Sequence, residues 1–138
     1  MKLSDAIRLG AMIRPKISGY FFKDGASCAQ GAALEASGTA YDDDVERSFD
    51  HGLRVRQLWP EACGLYVRCP ACGGSLMPLL YVIAHLNNEN STGHGWTREA
   101  IADWVETIEG LKQASDGTTD VDDARSPVPV SVDGGDRE

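Results

Sequence analysis

The sequence predicts an α+β fold that is mainly α, on three observations. Apolar residues recur at helical spacing in several segments, of which Ile101, Trp104, Val105, Ile108 and Leu111 form the densest stripe. The strand-like runs are short, and each is cut off by a turn or a knuckle. Four residues with metal-ligand chemistry, Cys69, Cys72, His85 and His94, fall within one stretch of 26 residues, so a small core can be completed by a staple. The expected organisation is a globular domain over residues 1–113, with its ligand-bearing segment at 66–94, and a disordered acidic tail at 114–138.

Taken in order, Ser4 can cap a first helix over residues 4–13, whose Ala6, Ile7, Leu9, Gly10 and Ile13 give one apolar face before Pro15 stops it. Tyr20 to Phe22 against Lys23-Asp24-Gly25 suits a short strand entering a tight reversal. In SCAQGAALEASG, Ser27 can cap a small-residue helix that Gly38 ends. Between Thr39 and Ala62, Val45, Phe49 and Leu53 recur every four residues and favour a helix, although Gly52 interrupts it and LRVRQLW could alternate as a strand, with a break at Trp59-Pro60. GLYVRC reads as a strand leading to the cysteine pair. Ser75 can then cap a helix with Pro78 in its first turn and Leu79, Val82, Ile83 and Leu86 buried. Thr97 caps the last helix, and beyond Gln113 no large apolar residue other than isolated valines offsets the entropy of ordering.

Cys69 and Cys72 form a C-x-x-C pair, and twelve residues separate Cys72 from His85. This segment resembles a two-cysteine, two-histidine zinc finger. The resemblance extends to Leu76, four after the second cysteine, and Val82, three before the first histidine. It implies structural Zn2+ on Cys69, Cys72, His85 and His94, and Leu76, Val82, Trp104 and Ile108 are expected to pack around it. One departure is the eight residues between His85 and His94, where such fingers leave three to five; Cys63 is the alternative fourth ligand.

The base-reading positions of such a finger would fall on Pro78, Tyr81 and Ala84, none of which is a good hydrogen-bonding reader of base edges. The formal net charge of −8 adds to this, although residues 115–138 hold seven acids against two arginines and so carry −5 of it. TREAIADWV resembles the first helix of a helix-turn-helix, but no recognition helix follows in GLKQASDGTTD.

Competing chemistries are weak. C-P-A-C resembles a thioredoxin-like dithiol without the βαβ frame, and Cys28 with His51 as a base is a pair rather than a constellation. No Walker or dinucleotide loop is present. No secretory h-region and no membrane-length apolar run occur, so the expected setting is cytoplasmic with reduced thiols.

LSDAIRLGAMIRP, SCAQGAALEASG, CPACG and HLNNEN…HGWTREAIADWV are together similar to short uncharacterised bacterial and phage proteins, with an insertion here between the histidines. The expected function is a non-catalytic zinc-binding interaction or adaptor protein with a protein partner. Two alternatives are a nucleic-acid-binding regulator using Lys2, Arg8, Arg14, Lys16 and Lys23, and an acidic inhibitor that mimics nucleic acid through its tail.

Overall fold

In the computed structural model, which describes residues 1–115, six helices and two small hairpins surround one apolar core. Of the tail expected at 114–138, Ala114 and Ser115 belong to the last helix (Arg98–Ser115), and the rest lies outside the described residues. No helix among the described residues is long and apolar enough to cross a membrane.

Helix α1 (Leu3–Ala11) buries Leu3, Ala6, Ile7 and Gly10. Leu9 and Ile13, expected on that face, are exposed. Ser4 does not cap it either. It sits inside the first turn, where its amide and hydroxyl both donate to the Glu109 carboxylate of helix α6 (Arg98–Ser115), so the cap comes from a distant helix.

Strands β1 (Phe22–Lys23) and β2 (Ala26–Ser27) pair antiparallel through Asp24-Gly25. Both turn residues have positive φ, 52° and 77°, the backbone a two-residue hairpin with right-handed strand twist requires. Helix α2 (Ala29–Ala36) is capped by Cys28, whose sulfur accepts from the Gly31 amide at 3.4 Å; Ser27 is spent in β2. The α1–α2 crossing is close because Gly10 faces Ala32: a Cβ at Gly10 would lie 1.8 Å from the Ala32 carbonyl oxygen.

A 3-10 turn (Val45–Arg47) leads into α3 (Ser48–Leu58), followed by short α4 (Pro60–Cys63). The helix falls within the expected segment. His51 and Val55 face inward, while Val45, Phe49 and Leu53 are exposed at 55, 74 and 40%. Trp59, at the break, donates its indole N–H to the Met1 carbonyl.

Strands β3 (Tyr66–Val67) and β4 (Met77–Pro78) pair antiparallel and feed helix α5 (Leu79–Asn87). Ser75 therefore precedes a strand instead of capping a helix, and Pro78 takes the N-cap position of α5 with extended backbone. Leu79, Val82, Ile83 and Leu86 of α5 join Ile101, Ala102, Val105 and Ile108 of α6 in the core. Thr97 caps α6 as expected, its hydroxyl accepting from the Ala100 amide at 3.0 Å.

Two buried polar side chains tie these elements together. Arg98 donates to the carbonyls of Ala11, Arg14 and Ser27 and to the Ser27 hydroxyl, and desolvation lowers its pKa from the ordinary value. Asn87 accepts from the Ala29 amide and donates to the Ile17 carbonyl, joining the end of α5 to the start of α2.

A candidate metal centre on a hairpin and a helix end

Cys69 and Cys72 occupy the loop between β3 and β4, His85 lies in the last turn of α5, and His94 follows on the strand-like return to α6. One ligand atom from each of the four lies within 4.8 Å of the others. Cys72 Sγ and His85 Nε2 are 3.7 Å apart. A tetrahedral ion at ordinary Zn–S and Zn–N distances would separate such a pair by about 3.6 Å, so these two donors are spaced as ligands of one small ion would be. The two imidazoles meet edge to face, with ring centroids 4.5 Å apart.

The backbone around the cysteines is folded for sulfur. The Ala71 amide donates to Cys69 Sγ at 3.4 Å, the Gly73 amide to the Cys69 carbonyl at 2.8 Å, and Gly73 takes φ 68° to turn the chain away. Burial pushes the Cys69 thiol up from its ordinary value, and the amides of Cys72 and Ala71 oppose that rise. A bound cation would reverse the balance outright by stabilising thiolate.

The eight-residue spacing before His94 is absorbed by a closed loop. The Gly95 amide donates to the Asn88 carbonyl, the His94 amide to the His85 carbonyl, and the Trp96 amide to the Leu86 carbonyl. The chain thus leaves α5 and returns antiparallel to its own end, which sets His94 beside His85. Gly93 makes the return feasible, since a Cβ there would fall 2.1 Å from the Asn88 oxygen. Asn88 and Glu89 are held in turn by the Gly19 amide and Lys16.

Cys63 lies outside this group, its thiol donating to the Trp59 carbonyl one turn earlier. Leu76 is exposed at 39%, in contrast to the packed position expected for it; the core is met instead by Val67 and Val82. The sheet is a two-stranded antiparallel hairpin, not the parallel frame a thioredoxin-like dithiol needs. Cys28 is raised by burial, which disfavours its thiolate, while His51 packs edge-on against Phe21 and Phe22 and points Nε2 at the Asp42 carbonyl. The helix-turn-helix resemblance finds no turn where one is needed, because α6 continues through Gly110 to Ser115.

The basic N-terminal residues are mostly engaged. Arg8 pairs with Asp5, Asp103 and Glu106, Arg14 with Glu35, and Lys16 with Glu89. Comparison with protein-family models, curated proteins and solved structures finds no match to this chain.

Proposed function

We propose that Cys69, Cys72, His85 and His94 bind one structural Zn2+ and that the protein is a non-catalytic interaction or adaptor module. The observation that carries this reading is the convergence of the four donor atoms within 4.8 Å. Two thiolates and two imidazoles suit zinc better than calcium or magnesium, which prefer oxygen donors. Four protein ligands would complete a tetrahedron and leave no position for an activated water, so the metal would brace the β3–β4–α5 unit without doing chemistry. That ββα order, with cysteines in the hairpin and histidine at the helix end, further supports the likeness to a two-cysteine, two-histidine finger.

The nucleic-acid reading is disfavoured by the neutralisation of Arg8, Arg14 and Lys16 within the fold. The bacterial or phage setting rests on the sequence resemblance alone, which supplies no activity, and the protein partner follows from reading the metal as structural and not catalytic. Elemental analysis of purified protein should give one zinc per chain, falling well below that in Cys72→Ser and His94→Ala. A metal-free protein with unchanged folding would sink the proposal.

A further inference from the structure

The exposed face of α3 and its preceding turn is a second feature that the metal reading does not use. Val45, Phe49 and Leu53 lie four residues apart and form an apolar stripe open to solvent. Gly52 lies next to that stripe, and the nearest atom a Cβ there would meet is an Arg56 guanidinium nitrogen at 3.9 Å, so another backbone can approach closely. Charge is polarised along the same segment. Asp42, Asp43, Asp44, Glu46 and Asp50 lie before Gly52, Arg54 and Arg56 after it, and only Arg47 breaks the order. Arg47 is already paired with Asp42 and Asp50, whereas neither Glu46 nor Arg56 has an ion-pair partner among the described residues.

We propose that this face binds a second copy of the chain, through antiparallel packing of two α3 helices about a twofold axis that crosses the exposed stripe midway between Phe49 and Leu53. A twofold there sets Phe49 opposite the partner's Leu53, and Glu46 opposite the partner's Arg56, each contact occurring twice by symmetry. The antiparallel arrangement is the one that places the acidic end of each helix on the basic end of the other; a parallel pairing would oppose like charges. An interface built on one helix face falls at or below the low end of specific interfaces, about 1,200 Å² in total, so the dimer is weak and concentration-dependent. This proposal is independent of the metal reading, because α3 supplies none of the four clustered donors.

Sedimentation analysis of zinc-supplemented protein over a concentration series tests it. The wild type should pass from monomer to dimer, and Phe49→Asp should weaken dimerisation more than about tenfold with the far-UV spectrum unchanged, since the side chain is exposed. Glu46→Arg and Arg56→Glu should each weaken it roughly threefold to tenfold, and the double variant should recover most of the loss. A wild type that stays monomeric to millimolar concentration overturns the proposal. So does a dimer indifferent to Phe49→Asp, or charge reversals that fail to compensate.

Discussion

Two corners of this molecule solve the problem of holding chain segments together in opposite ways. Where α1, α2 and α6 meet, small residues allow close backbones, apolar side chains are fully buried, and Arg98 and Asn87 satisfy carbonyls and amides that would otherwise be orphaned. At the β3–β4–α5 corner the strands are two residues long, Leu76 and Tyr66 are exposed, and of the four clustered donor residues only Cys69 is buried. The first corner is bound by packing and hydrogen bonds over long sequence distances. The second has too little apolar contact to fix its loop alone, and there an ion would stabilise most.

The contrast can be broken or sharpened by experiment. Chelation of the metal, or Cys72→Ser, should give the largest effect: a fall in Tm of more than about 10 °C, with hydrogen exchange rising first in β3, the cysteine loop and the loop after α5. Equal loss of protection in α1 would erase the distinction. Arg98→Met should cost about 3 kcal/mol in denaturant unfolding, because four acceptors lose their donor inside the packed corner. Gly10→Ala should cost roughly 2–3 kcal/mol, as α1 and α2 must separate to admit the methyl group, and it should leave zinc content unchanged. Leu76→Ala should cost under about 0.5 kcal/mol, which marks that position as surface despite its place in the finger-like spacing.

What could be read from the sequence follows the range of the forces involved. Local signals carried well: Asp24-Gly25 requires its reversal, Thr97 caps α6, and the 3.6-residue stripe of α6 is buried at Ile101, Val105 and Ile108. The grouping of Cys69, Cys72, His85 and His94 was legible because few chemistries need that set of side chains at that spacing. Three serines misled as caps. Ser4, Ser27 and Ser75 have the right chemistry, but strand pairing and a carboxylate 105 residues away decided their surroundings. The inner face of α3 gave little signal, because its buried residues are only His51, which packs among aromatic rings, and Val55. Arg98 and Asn87 gave no signal at all, since their partners, the Ser27 hydroxyl apart, are backbone carbonyls and amides that any residue supplies.

The loop after α5 has a consequence for how the chain could be altered. Its feet are pinned at Asn88 and Gly95 by a backbone hydrogen bond, and the position of His94 depends on those feet rather than on the span between them. The tip, Asn90 to Thr92, is exposed and bonded mainly to itself. Doubling such a span adds only about 0.6 kcal/mol of closure entropy. The tip is therefore a place to graft a foreign peptide, displayed outward beside the paired imidazoles while their spacing stays as it is.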